Sequence, residues 1–265
     1  MAGLYGRDIF PPETEPGLGA FDDKAGTFDL IQVFPLGFLL ICALLFAPPT
    51  VKCIDASFDP DFTYWNGEAA KVFSFLPLAL VAVAHVRNVR HGAPSRLAVS
   101  VGLLGSAVCL LVASLLLFEG GLATGHSFAN PDCNTFVGKA DLERSWQSAR
   151  AFYAACLLEE GQSDIVLLAI EDCPGYMQHE DDAWRYLADL EQRHSCGGWC
   201  TPGPQLWGFG EVPGTQCSTA VGDMMLAKIR STGRQLLAYS LAVVLLATGA
   251  LYFWGAKLRG VGVEW

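Results

Sequence analysis

Four long apolar runs dominate the pattern of this chain. They cover residues 30–47, 69–86, 97–118 and 235–254, and each is close to the roughly 20 residues that an α-helix needs to cross a bilayer. No run has a charged residue at its centre. A proline pair, Pro48-Pro49, is expected to end the first run. The pattern predicts an all-α membrane protein built on a bundle of four transmembrane helices.

The runs divide the chain into four parts. Residues 1–29 form an acidic tail rich in glycine and proline, and residues 30–118 hold the first three transmembrane helices with short loops between them. Residues 119–234 form a large cysteine-rich loop, and residues 235–265 hold the fourth helix and a short second tail. Because four crossings return the chain to its starting side, both tails are expected on one side of the membrane.

Composition supports a membrane protein. Of the 265 residues, 52% are hydrophobic and 17% are charged, and the mean hydropathy is +0.33, which is too apolar for an ordinary soluble domain. The net charge of −10 argues against nucleic acid as a partner, because phosphate contacts need a basic surface. It also argues against a polybasic anchor on anionic lipid.

The basic residues give only a weak signal for orientation. Arg87, Arg90 and Arg96 surround the turn between the second and third runs without any acid, which favours the cytoplasmic side. Lys257 and Arg259 agree, but bases at positions 228, 230 and 234 oppose them. The cysteines decide, since a six-cysteine loop is expected in an oxidising compartment. We therefore predict a multi-pass protein of the plasma membrane or an endomembrane, organelle membranes included, with an extracellular or lumenal loop and cytoplasmic termini.

Six of the nine cysteines lie in the large loop, at Cys133, Cys156, Cys173, Cys196, Cys200 and Cys217. An even number of cysteines in such a setting predicts a disulfide framework. Many pairings of six cysteines are conceivable, and no pattern in the residues chooses among them.

Two stretches of the large loop have helical periodicity. The first apolar stripe is Leu142, Trp146, Ala149, Tyr153 and Cys156, and the second is Ala183, Leu187, Leu190 and His194, with Trp184 beside it. Each stripe predicts one amphipathic helix. We expect Asp141 to cap the first helix and the acidic run at 180–182 to begin the second. A further helix over 218–230 is expected to run into the fourth span, so the loop is mainly helical.

Residues 197–214 have a different character, with six glycines, three prolines and no periodicity. Such a stretch cannot hold itself by packing, so the disulfides are expected to hold it. Its aromatic residues are Trp199, Trp207 and Phe209. They are predicted either to bind a partner as exposed hot spots or to cap the core of the loop itself.

The loop order and the motif around Cys196 resemble the tetraspanin family. Both have a short first outer loop, a very short inner loop and a large cysteine-rich second outer loop. Residues 194–200, His-Ser-Cys-Gly-Gly-Trp-Cys, stand where that family has Cys-Cys-Gly after a helix, and this variant is more similar to members from single-celled eukaryotes. The resemblance implies a bridge between Cys196 and Cys217. Unlike most members, this chain has no cysteine in its tails or inner loop to accept palmitate.

Catalysis is not expected from these residues. Among five histidines only His85 lies within a span, so no pair is available to ligate haem. No nucleophile triad, phosphate loop or zinc spacing is recognisable either. We therefore predict no catalytic residue, no cofactor and no metal. The enzyme alternative is a four-helix thiol oxidoreductase, for which the chain offers Cys196 with Cys200, and Cys53.

The function predicted from the sequence is a tetraspanin-like scaffold that binds other integral membrane proteins laterally, without enzymatic activity. Its partners are membrane proteins and lipid, met through the aromatic loop segment and the lipid-facing sides of the spans. An alternative is an accessory structural subunit of a large energy-converting complex in an organelle membrane. A face of small residues on the third span, at positions 102, 105, 106 and 109, is expected to pack inside the bundle.

Overall fold

A computed structural model describes residues 23–91, 95–130, 132–160, 167–208 and 215–260. Within these ranges all regular secondary structure is helical. Residues 1–22 of the predicted tail lie outside the described ranges, and the first helix begins at Asp23, before the predicted end of that tail.

In the part of the chain that the structure describes, four helices are long and apolar enough to cross a membrane. They are α1 (Asp23–Ser57), α3 (Ala69–His91), α4, which begins at Arg96 and ends at Ala129, and α8, which begins at Cys217 and continues to Gly260. Both α4 and α8 contain one π-helical turn, at Val101–Gly105 and Met225–Ile229. The coarse prediction of an all-α, four-helix chain is therefore confirmed.

The first helix does not end at Pro48-Pro49, and this prediction was wrong. Helix α1 passes through both prolines and ends only at Ser57. Proline lacks an N–H, so Pro49 leaves the carbonyl of Leu45 without its helical donor. The hydroxyl of Tyr239 on α8 donates to that carbonyl at 2.9 Å. A neighbouring helix thus satisfies the acceptor that the proline leaves free, as is common in membrane bundles.

The helices of the bundle pack in neighbouring pairs, and the contact between α4 and α8 is the most extensive. Glycine permits this closeness, because a Cβ on Gly233 of α8 would lie 2.6 Å from the backbone nitrogen of Phe118. The predicted small-residue face of α4 also packs internally. A Cβ on Gly102 would lie 2.7 Å from that of Ala84, and the Ser106 hydroxyl donates to the Pro77 carbonyl at 2.8 Å.

Helix α2 (Pro60–Asn66) lies between α1 and α3, and the described residues between α4 and α8 form three further α-helices and two short 3-10 turns, Cys133–Thr135 and Ile170–Asp172. The three α-helices are α5 (Val137–Glu160), α6 (Tyr176–His179) and α7 (Asp182–His194). We call α2 and the chain between Ala129 and Cys217 the loop domain. Both predicted amphipathic helices are present as α5 and α7, and the predicted helix before the fourth span is the start of α8.

The predicted helix starts were right in one case and wrong in the other. Asp181 caps α7, and its carboxylate accepts from the backbone N–H of Trp184 at 2.8 Å. Asp141 does not cap α5, because that helix begins four residues earlier, at Val137. The earlier start places Lys139 against the end of α4, where its ammonium donates to the Asn130 carbonyl at 2.5 Å. A cation is stabilised there because the carbonyls at a helix C-terminus lack partners.

Candidate interaction site in the loop domain

Three disulfides connect the six cysteines of the loop domain. They join Cys133 to Cys200, Cys156 to Cys173, and Cys196 to Cys217. The last of these is the bridge that the resemblance to tetraspanins implied. Each bridge typically contributes about 2–4 kcal/mol, largely by restricting the unfolded chain. The Cys133–Cys200 bridge ties the Gly/Pro-rich segment to the turn that follows α4, and the Cys196–Cys217 bridge ties the start of that segment to the first residue of α8.

Helix α2 binds α7 inside the loop domain through a buried ion cluster. The Asp61 carboxylate is 0% exposed and accepts two hydrogen bonds from the Arg193 guanidinium, at 2.9 and 2.7 Å. His194 lies on the same carboxylate, with Nε2 at 2.9 Å from Oδ2. Burial alone would raise the pKa of Asp61, but the bonds to His194 and Arg193 outweigh it and hold that pKa below its ordinary value.

A second ion pair fixes the start of α2. Asp59 caps the helix and Pro60 occupies its first position, which together favour a helix start at this point. The other oxygen of Asp59 accepts from Lys228 of α8 at 2.9 Å. Two acids of the short first loop, Asp59 and Asp61, are therefore neutralised by bases from the fourth helix and the large loop, at a point we call the loop junction.

Aromatic rings fill the rest of the loop junction. The indole N–H of Trp65 donates to the Tyr186 hydroxyl at 2.8 Å, and the Tyr64 ring stacks on Tyr186 with centroids 3.8 Å apart. Trp65 also meets Phe128 of α4 edge-on at 4.7 Å and lies parallel to Trp199 at 6.1 Å. Burial, and next the charge of Asp61, raise the pKa of Tyr186 well above its ordinary value.

Trp199 and Trp207 are buried, so the prediction that they are exposed hot spots needs correction, and the alternative that they cap the core of the loop agrees with the structure. Trp199 is 0% exposed and donates to the Lys139 carbonyl at 2.8 Å, and Trp207 is 3% exposed and donates to the Tyr176 hydroxyl at 2.9 Å. Because both rings and both N–H groups are satisfied inside the chain, they cap the core of the loop domain. Phe209 lies outside the described residues.

Glu191 holds the Gly/Pro-rich segment in place and was missed by sequence reasoning. This buried acid on α7 accepts from the backbone N–H groups of Leu206 and Trp207, at 2.8 and 2.9 Å. Burial raises its pKa to about 7, although the two N–H groups act in the opposite direction. Its position directly after Leu190 of the apolar stripe is the one signal that the sequence offers.

Exposed apolar residues gather at the far end of α5. Leu158 and Met177 are each 79% exposed, Leu168 is 58% exposed, and Leu157 is also exposed. The Cys156–Cys173 bridge joins the two segments that carry them, and Phe152 packs on His179 with ring centroids 4.9 Å apart. We call Leu157, Leu158, Leu168 and Met177 the loop tip. Leu158 comes two residues after Cys156, the last residue of the stripe, so the sequence already places Leu158 off the buried face of α5.

The remaining cysteines and acids form no reactive arrangement in the described part of the chain. Cys42 and Cys53 are buried and Cys109 is half-buried, and the Cys53 sulfur lies 3.2 Å from the Ser74 hydroxyl. Cys133, Cys200 and Glu143 have ligand atoms close together, but both sulfurs belong to a disulfide. Glu143 instead accepts from the backbone N–H of Cys200 at 2.9 Å.

In comparisons with known proteins, no family model matched this chain, and neither did a curated protein or a solved structure.

Proposed function

We propose that this chain is a tetraspanin-like scaffold that binds other integral membrane proteins laterally and has no enzymatic activity. The observation that carries the proposal is a loop domain that is fixed to four membrane-length helices and presents apolar side chains at its tip. The proposal includes an extracellular or lumenal loop domain and cytoplasmic termini, since disulfides persist in oxidising compartments.

The rigidity of the loop domain supports a role in binding. Three disulfides hold it internally, and the loop junction fixes it to the bundle through the Asp59–Lys228 ion pair and the packing of Trp65 on Phe128. A surface that is already ordered loses little conformational entropy on association, so even a modest contact area gives useful affinity.

The loop tip replaces the aromatic segment as the proposed contact surface. It lies about 28 Å along the α5 axis from Lys139, at 1.5 Å per residue, and so is well separated from the loop junction. Large apolar side chains that are exposed together are often found at protein interfaces. The second surface is the outward side of the spans, where Leu44, Leu245 and Leu246 are exposed to lipid or to a neighbouring span.

An accessory subunit of a large organellar complex is the second candidate. It is favoured by the positions of the three free cysteines, which all lie within membrane-length helices, two of them buried. They provide no exposed thiol at a membrane edge for palmitate, so protein contacts would have to hold the chain in its assembly. The native mass of the detergent-extracted protein separates the candidates. A fixed stoichiometry indicates a subunit, and a varying set of companions indicates a scaffold.

The thiol oxidoreductase is disfavoured by the bridge pattern. Cys196 and Cys200 belong to different disulfides, and Cys196 is fully buried. A catalytic pair must instead cycle between a shared bridge and two thiols. Counting thiols under mild reductant tests this argument, because a pair that cycles readily among Cys53, Cys196 and Cys200 would contradict the scaffold.

The direct test substitutes the loop tip. Leu158→Ser and Met177→Ser should each reduce recovery of cross-linked partners about fivefold or more, as is typical of a contributing interface residue. Val137→Ser is the matched control, since Val137 is 76% exposed at the opposite end of the same helix. Equal recovery from all three variants would remove the loop tip as the contact surface.

A further inference from the structure

We propose that the end of α3 holds an anionic phospholipid, with the phosphate on Arg87 and Arg90 and an acyl chain along Ala82, Val83 and Val86. These five residues line an open groove of about 390 Å³, which we call the lipid groove. The inference goes beyond the scaffold function and rests only on α3 crossing a membrane.

Near its end, helix α3 has one face that packs against the bundle and another face that lines the lipid groove. Val81, Ala84 and Asn88 are buried against the bundle. Val83, Val86, Arg87 and Arg90 are exposed on the other side, at the i, i+3, i+4 and i+7 spacing that places residues on one helical face. The face therefore changes from apolar to basic at the end of the helix, which is the order of acyl chain and headgroup in a lipid.

Charge favours an anionic headgroup at this point. The chain has 27 acids and 17 bases, yet no acid occurs between Glu68 and Glu119. Neither Arg87 nor Arg90 forms an ion pair within the described ranges. Lys71, at the other end of α3, pairs with Glu68 at 3.0 Å. The two guanidinium groups are thus free to bind phosphate, which they match in shape as well as charge.

The net charge of −10 excludes a broad polybasic anchor but not a local site. Arginines directly beside a span act within a Debye length of the headgroups, so distant acids in the loop domain are screened from them. Anionic lipids are concentrated in the cytoplasmic leaflet, where positively charged loops are also found. The lipid groove therefore predicts that this end of α3 is cytoplasmic.

Native mass spectrometry of the full chain in a mild detergent tests the proposal. Dioleoyl phosphatidylserine should bind more tightly than dioleoyl phosphatidylcholine, which has the same acyl chains and no net charge. R87Q/R90Q should weaken phosphatidylserine binding roughly 30-fold, since each arginine near an anionic surface contributes about fivefold. R144Q/R150Q removes two exposed arginines from α5 and should leave binding unchanged.

Several outcomes would overturn the lipid groove. These are equal binding of the two lipids, no effect of R87Q/R90Q, or an equal effect of R144Q/R150Q. Displacement of the lipid by inorganic phosphate alone would mean that the site recognises a free anion. R87K/R90K keeps both charges and should retain most of the binding, which separates loss of charge from loss of structure. Partner recovery should be unchanged in R87Q/R90Q, so failure here is distinct from failure of the loop tip.

Discussion

Glu191 allows the stability of the loop domain to be related to a single proton. Its carboxylate is buried, it accepts the N–H groups of Leu206 and Trp207, and its pKa is raised from 4.5 to about 7. In Glu191→Gln the amide oxygen still accepts both N–H groups, but the side chain no longer titrates. The variant therefore isolates the effect of the charge from the effect of the hydrogen bonds.

The size and sign of the effect follow from linkage. One pKa unit corresponds to about 1.36 kcal/mol, so a shift of roughly 2.5 units corresponds to about 3 kcal/mol. The native state binds this proton more tightly than the unfolded state does. The contribution of this proton to the free energy of unfolding is thus complete below the unfolded pKa of 4.5 and is lost as pH rises through the native pKa of about 7.

Tryptophan fluorescence during thermal unfolding in detergent measures this effect. Five of the seven tryptophans lie in the loop domain, at positions 65, 146, 184, 199 and 207, so the signal reports mainly on that domain. Between pH 5 and 8 the Tm of the wild-type protein should fall by on the order of 10 °C, whereas that of Glu191→Gln should stay nearly constant. Glu159→Gln, at an exposed position, should behave like the wild type. The reasoning is refuted if Glu191→Gln keeps the wild-type slope.

Two further predictions concern the loop junction and the bridges. Asp61→Asn should lower the free energy of unfolding by about 3–5 kcal/mol near neutral pH, measured by thermal unfolding, because it leaves Arg193 without its buried partner. The same change at the half-exposed Asp189 should lower it by under about 1 kcal/mol. Equal decreases for the two variants would contradict a buried ion cluster. Removing the Cys133–Cys200 bridge, with a sequence separation of 67, should cost about 1 kcal/mol more in denaturant unfolding than removing Cys156–Cys173, with a separation of 17. The reverse order would show that loop closure does not determine the contribution of these bridges.

The sequence predicted those parts of the fold that depend on local patterns. The four spans follow from the length of the apolar runs, and α5 and α7 follow from stripes such as Leu142, Trp146 and Ala149. The end of α1 was wrong because its cause is remote. Tyr239 satisfies a carbonyl in the first helix from almost two hundred residues away, and no local rule at Pro48-Pro49 contains that information.

The candidate site was less predictable because it depends on contacts between distant segments. Asp61 was simply one acid in a short loop until Arg193 and His194 were placed around it. Trp199 and Trp207 lie in a glycine-rich stretch whose own pattern gives no buried face. Their burial depends on acceptors from α5 and α6, Lys139 and Tyr176, which the sequence alone does not bring near them.

The continuity of α4 and α8 has a mechanical consequence. These helices are 34 and 37 residues long between Arg96 and Ala129 and between Cys217 and Phe253, or about 50 and 55 Å at 1.5 Å per residue. A hydrocarbon core of about 30 Å leaves roughly 20 Å of paired helix standing beyond it. Helix α8 has its π-helical turn in this region, at Met225–Ile229, but neither helix ends there, so both continue from the membrane level to the loop domain. A tilt of the two helices in the bilayer then moves the loop domain sideways, and this displacement increases with the distance of the loop domain from the membrane.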